Sequence, residues 1–253
     1  MQTERMVEIV WQGIQRGEHH PAELHGKLSL DEAYRVQLGV LECYERSGNP
    51  QAGWKVGLTA KAMQAQQGVH EPVFGFLLRN GHRQTGAALD YDSLIRPGFE
   101  NELCLTVGTT LTGPGVTLEQ ARSAVSHVAP ALEIVEKRGD FRGDLALGLT
   151  DNAQQKAFVT GEPIPLGTLD LAEVALDLTV NGAAQEQARG VEVMGTPIAS
   201  IAWLANKLAE FGRSLEAGML VMSGSFTKQY EVHQGDAVAA QFDPVGLVSA
   251  EFR

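Results

Sequence analysis

Apolar residues recur at helical spacing through the first fifty positions and at alternating spacing through much of the remaining chain. Val7, Val10, Trp11 and Ile14 share one helical face, and Gly17 and Pro21 close that segment. Ser29 with Glu32 three residues on has the form of a capping box. Ala33, Val36, Val40 and Cys43 then line a second helix until Ser47-Gly48-Asn49-Pro50 ends it. Two further helices are predicted. One opens at Thr117 with Gln120, carries Leu118, Ala121, Val125 and Val128, and stops at Pro130. The other opens at Pro197, turns Ile201, Leu204, Leu208 and Phe211 inward, and ends at Gly212.

Between and after these helices the pattern predicts strands. Residues 53–58 and 74–78 read as strands, residues 61–67 as a short helix, and Asn80-Gly81 as a turn. Val174, Leu176, Leu178 and Val180 alternate with polar or small residues, and Asn181-Gly182 then marks a hairpin. Val248, Ala250 and Phe252 alternate near the end. No internal repeat or low-complexity run interrupts the chain. The organisation expected is a small, mostly helical N-terminal domain over residues 1–75 and a strand-rich catalytic domain over residues 76–253.

Composition narrows the function classes. A formal net charge of −11 leaves no basic surface for nucleic acid. No window approaches the ~20 apolar residues of a membrane span, and no basic start leads into a long apolar run. A cytoplasmic enzyme is the expectation. Cys43 and Cys104 form no metal-like spacing and read as two free thiols in a reducing compartment.

The strongest chemical signal lies at Phe99-Glu100-Asn101-Glu102-Leu103. On a strand Glu100 and Glu102 point to one face. Two like charges so placed face water, share a proton or bind a cation. Glu133, in Ala131-Leu132-Glu133-Ile134-Val135, sits in a second apolar strand, where an unpartnered carboxylate is costly. Three carboxylates without His or Cys suit a hard cation, Mg²⁺ or Mn²⁺, rather than zinc.

Gly53-Trp54-Lys55-Val56-Gly57-Leu58-Thr59, the Glu100/Glu102 pair, Pro130-Ala131-Leu132-Glu133, Asp151-Asn152-Ala153 and Ser223-Gly224-Ser225-Phe226-Thr227 occur here in one order. From about residue 30 to the end, the chain resembles the fumarylacetoacetate hydrolase superfamily, in its hydratase/decarboxylase branch. The resemblance implies an α+β fold, a mixed β-roll with flanking helices. It implies Mg²⁺ on Glu100, Glu102 and Glu133, a catalytic Lys55, and a homo-oligomer of at least two copies. Asp151, Lys156, Ser225 and Thr227 are expected to contact substrate, a small 2-oxo acid.

Within that branch the motifs divide. Hydratases carry an Asp where this chain has Val73, and decarboxylases tend to have a basic residue at the position of Lys156, which would hold a second carboxylate. Ser223-Gly224-Ser225-Phe226-Thr227 is closer to the hydratases. The reading leans to hydration of 2-hydroxypenta-2,4-dienoate (2-keto-4-pentenoate), with decarboxylation of 2-oxohex-3-enedioate (4-oxalocrotonate) as the alternative. Hydrolysis of acylpyruvates would enlist His70 and Glu71. A metal-free binding module on the same fold is the non-enzymatic alternative.

Overall fold

The computed structural model describes residues 3–139 and 143–253. Its helices are α1 (Thr3–Arg16), α2 (Leu30–Arg46), α3 (Lys61–Gln66), α4 (Leu118–Ala124), α5 (Leu145–Thr150) and α6 (Pro197–Ala209). Its strands are β1 (Gln51–Gly57), β2 (Val73–Leu78), β3 (His82–Gln84), β4 (Ala87–Leu89), β5 (Pro97–Val107), β6 (Val125–Glu136) and β7 (Gln155–Thr160). They continue as β8 (Ile164–Pro165), β9 (Ala175–Val180), β10 (Ala183–Arg189), β11 (Leu220–Met222), β12 (Tyr230–Glu231), β13 (Ala237–Asp243) and β14 (Gly246–Phe252).

The N-terminal helices form where the apolar spacing put them. Met6 and Val10 of α1 and Ala33, Val36 and Val40 of α2 are buried. The Ser29 hydroxyl accepts from the Glu32 N–H and the Glu32 carboxylate accepts from the Ser29 N–H, so two otherwise orphaned donors at the start of α2 are satisfied.

One stretch departs from expectation. The helix predicted as far as Pro130 ends at Ala124, and Val125 begins β6. Val125 and Val128 are β-branched and gain more by packing in a sheet beside β5 than by prolonging a short helix. Pro130 therefore lies inside a strand. Its carbonyl accepts from the Gly161 N–H just past β7, so its missing donor faces the place where that neighbour ends. The Asn181-Gly182 turn closes the β9–β10 hairpin with both residues at positive φ, 52° and 74°. Asn80-Gly81 instead lies in a 3₁₀ turn between β2 and β3, which belong to distant places in the sheet.

The strands make two sheets. The larger runs β2-β1-β11-β5-β6-β7-β3, with β12 on β5 and β8 on β6. It is mixed, because β1/β11 and β3/β7 are parallel and the other pairs are antiparallel. The smaller runs β10-β9-β13-β14-β4. The result is the α+β, mixed-sheet architecture with flanking helices. The boundary expected near residue 75 falls within β2, and β1 and β2 are integral to the large sheet. One apolar core also joins α1 and α2 to the strands.

The two faces of the large sheet differ. Phe99, Leu103 and Leu105 of β5 and Leu132 and Ile134 of β6 belong to the main core. Alternation turns the intervening residues to the opposite face, where Cys104, Ala129, Ala131, Met222, Leu77 and Phe158 form a small cluster of their own. Glu100, Glu102 and Glu133 are placed by the same alternation on this second face.

Candidate active site

Strand register assembles the site. Glu100 pairs directly across from Glu133, and Glu102 from Ala131. Ligand atoms from Glu100, Glu102 and Glu133 all lie within 4.8 Å of one another. Glu102 and Glu133 are fully buried. Lys55 arrives from β1, two strands away, where it pairs with Gly75 on β2 and Met222 on β11. Its Nζ lies 3.2 Å from Glu133 Oε1.

Glycines clear the way for that lysine. A Cβ on Gly75 would sit 3.3 Å from Lys55 Cε and 2.8 Å from Asn152 Oδ1, and one on Gly57 3.5 Å from Lys55 Nζ. The loop after β11 then closes over the acids. The Gly224 N–H donates to Glu102 Oε2 at 2.8 Å. Gly224 has φ of 105°, and a Cβ there would strike Thr59 at 2.4 Å, so only glycine fits. Ser225 Oγ accepts from the Asn101 N–H, and Thr227 Oγ1 accepts from the Asn101 side-chain amide. Both hydroxyls thus pin the strand segment between the two glutamates.

Three carboxylates against one ammonium would leave a net charge of −2 out of water. The protein resists that charge. Burial, then the Glu133 charge, pushes Glu100 up to about 7 despite Lys55. Burial, Glu133 and Glu100 push Glu102 well above the carboxylate range, against the pull of the Gly224 N–H and Lys55. Burial works against the charge on Lys55, but Glu133, Glu100 and Glu102 together raise its pKa, so it stays an ammonium. Glu102 Oε1 and both Glu133 oxygens are buried without a hydrogen-bond acceptance, the 3.2 Å contact to Lys55 falling outside hydrogen-bond geometry. Buried oxygens of this kind are costly unless something supplies positive charge. A divalent cation matches both the donor set and the charge deficit, and the acidic cluster is able to chelate one.

The cluster opens into a cavity of about 880 Å³ lined by Lys55, Glu100, Thr59, Val73, Ser225 and Thr227, among others. Lys156 and Asp151, expected to contact substrate, do not line it. Lys156 is partly exposed and lies 3.3 Å from Glu136. Asp151 is buried, accepts from Arg138 Nε at 2.6 Å and lies 3.4 Å from His19 Nδ1. Those charges are consumed in a network behind the end of β6. Glu71 pairs with Lys207 of α6, and neither it nor His70 lines the cavity. Arg138, Lys137 and Gln229 are placed around the site without having been singled out in the sequence. The position of Lys137, four residues from Glu133 and on its face by alternation, was the available signal.

The family model described as fumarylacetoacetate (FAA) hydrolase C-terminal matches residues 49–253. The chain belongs to that family. Within it the chain falls in the hydratase/decarboxylase branch. It is 33% identical to the 4-oxalocrotonate decarboxylase of Pseudomonas putida, over 92% of this chain and 89% of that one. It is 34% identical to the 2-hydroxyhexa-2,4-dienoate hydratase of Comamonas testosteroni, over 90% and 88%. The solved structure of 4-oxalocrotonate decarboxylase from Pseudomonas putida G7, complexed with magnesium and adipate, superposes with a TM-score of 0.94 at 31% identity, covering 100% of this chain and 99% of that one. Among the described residues no helix is long and apolar enough to cross a membrane.

Proposed function

We propose that the protein is a metal-dependent lyase that decarboxylates a 2-oxo-enedioate of the 4-oxalocrotonate type. The observation that carries this reading is the wall of the cavity beside Lys55. Val73 stands there, where hydratases of the branch carry an aspartate, and the remaining acidic lining residues are Glu100, in the cluster, and Glu231, paired with Lys137. Hydration needs a base to take a proton from water. Decarboxylation does not, and an apolar wall favours it. The likeness of whole-chain structure to a decarboxylase supports the same choice, so the leaning toward hydration drawn from the Ser223–Thr227 segment gives way. The Ser225 and Thr227 hydroxyls are occupied in holding Asn101, which leaves that motif an architectural task.

Glu100, Glu102 and Glu133 would hold Mg²⁺ or Mn²⁺, which supplies Lewis-acid charge where the 2-oxygen of the substrate gains electrons. The bond from C5 to the C6 carboxylate breaks, and its electron pair moves through C4 and C3 to the oxygen on C2. CO₂ leaves, and a proton completes the 2-hydroxydienoate. Lys55 is kept charged beside Glu133 and is positioned to neutralise that oxygen or to give it the proton from Nζ. Val73, Leu58 and Met63 shield the path of the departing CO₂ from water.

Hydration of a 2-hydroxydienoate is the second reading, favoured by the Ser223-Gly224-Ser225 loop that covers Glu102. Product analysis by NMR decides. With Mg²⁺, 2-oxohex-3-enedioate is expected to release CO₂. A new hydroxyl-bearing carbon from 2-hydroxypenta-2,4-dienoate, with no CO₂ from the diacid, would overturn the proposal.

A further inference from the structure

The decarboxylase reading requires a place for the second carboxylate, and Lys156, the cation the sequence offered, is turned away. The far end of the cavity holds other groups. Register fixes their distance from the acidic cluster. Glu100 and Glu133 form one row across the sheet, and Gly98, opposite Val135 and Glu231, forms another. Two residues along a strand separate these rows by about 7 Å.

Three side chains meet at the Gly98 row. Gln229 lines the cavity, and a Cβ on Gly98 would sit 2.9 Å from its Nε2, so the amide occupies the space on the Glu100 face that a side chain at Gly98 would fill. That Nε2 is buried and has no hydrogen-bond partner. Lys137 lines the cavity from the end of β6, where its N–H donates to the Arg96 carbonyl, and its Nζ reaches back to Glu231. Glu231 also lines the cavity and is largely exposed, with 68% of its side chain accessible.

A buried, unpartnered N–H₂ beside an ammonium is a carboxylate site in its chemistry. Glu231 shows a carboxylate bound to that ammonium. An exposed ion pair is worth only about 0–1 kcal/mol, so a second carboxylate entering the cavity displaces Glu231 at little cost. The terminal carboxyl carbons of an extended six-carbon diacid lie about 6 Å apart, which matches the separation of the two rows.

We infer that Lys137 and Gln229 form the subsite for the distal carboxylate of a six-carbon dicarboxylic substrate, with Glu231 as its internal stand-in. The inference rests on the proposed decarboxylation, and it makes a further demand. The carboxylate held there is the one that leaves as neutral CO₂, so the Lys137 pair is strongest before the C5–C6 bond breaks. It therefore serves binding and not the chemical step, and its loss raises KM more than it lowers kcat.

Calorimetry on the Mg²⁺-loaded protein with hexanedioate and with hexanoate tests this without turnover. Wild-type protein is expected to prefer the diacid. Lys137→Ala should cut the ratio of the two affinities about tenfold, and Gln229→Leu should cut it severalfold, as loss of charge-assisted hydrogen bonds requires. Lys137→Arg should restore the preference, and Glu231→Gln should increase it by removing the competitor. A wild-type protein indifferent to the second carboxylate, or a ratio unchanged in both Lys137→Ala and Gln229→Leu, would overturn the subsite. Failure of the lyase reading looks different. The diacid would still bind selectively through Lys137 and Gln229, and no CO₂ would form from 2-oxohex-3-enedioate.

Discussion

Glu102→Gln separates a chelating cluster from a merely buried one, because its effect has opposite signs with and without metal. The substitution keeps the shape of the side chain, and its amide oxygen still accepts the Gly224 N–H now bound at 2.8 Å. What changes is the charge. In the metal-free protein, three carboxylates with ligand atoms within 4.8 Å repel one another. Two unit charges at that distance repel by on the order of 3 kcal/mol at an effective dielectric constant of about 20. Proton uptake by Glu100 relieves part of this. The metal-free variant is therefore expected to gain about 1–2 kcal/mol, or about 2–4 °C in Tm for a chain of this size. With metal the order reverses. A cation at a hundred times its Kd stabilises the wild-type fold by about 2.7 kcal/mol, which is about 5 °C. The variant, with an N–H₂ turned toward the cation, should gain less than about 1 °C. Thermal melts at pH 8 with EDTA and with excess Mg²⁺ or Mn²⁺ measure all four values. An equal metal-induced shift in wild type and variant would refute the ligand assignment. A metal-free variant melting several degrees below wild type would refute the repulsion argument.

Other expectations rest on the same geometry. Glu100 and Glu102 bind protons more tightly folded than unfolded, so their stabilising contribution is complete below the ordinary carboxylate range and is lost as pH rises through about 7. Metal-free protein should thus lose stability between pH ~5 and ~8 while metal affinity rises over that window, by about tenfold per pH unit for one displaced proton; chemical denaturation and metal titration across pH check both. Gly75→Ala should displace Lys55 or Asn152 and lower kcat by about 10²-fold or more while leaving metal binding intact, since misplacing a reacting group by an ångström has that scale of effect. Asp151→Ala strands the buried Arg138 and should destabilise the fold by about 3–5 kcal/mol in urea melts. Lys156→Ala should leave the preference for a diacid unchanged in steady-state kinetics, because its ammonium serves Glu136 outside the cavity.

Much of the site was legible because β-structure has a period of two. Glu100 and Glu102 had to share a face, and Glu133 had to share one with Ala131 and Val135. Capping residues located α2, and Pro197 located α6, because the atoms that cap or start a helix are local to it. What the sequence left open depended on partners distant along the chain. Only pairing decided that Val125–Pro130 would be strand, that Glu100 would lie opposite Glu133, and that Lys55 would reach across β11 to the same spot. Lys156 and Asp151 carried the right chemistry for substrate, yet Glu136, Arg138 and His19 had the stronger claim on their charges. Lys137 and Gln229 gave no motif, and acquired a shared place only when β12 settled against Gly98. Local periodicity determines which side chains can point the same way; long-range register and competition among charges determine which of them meet.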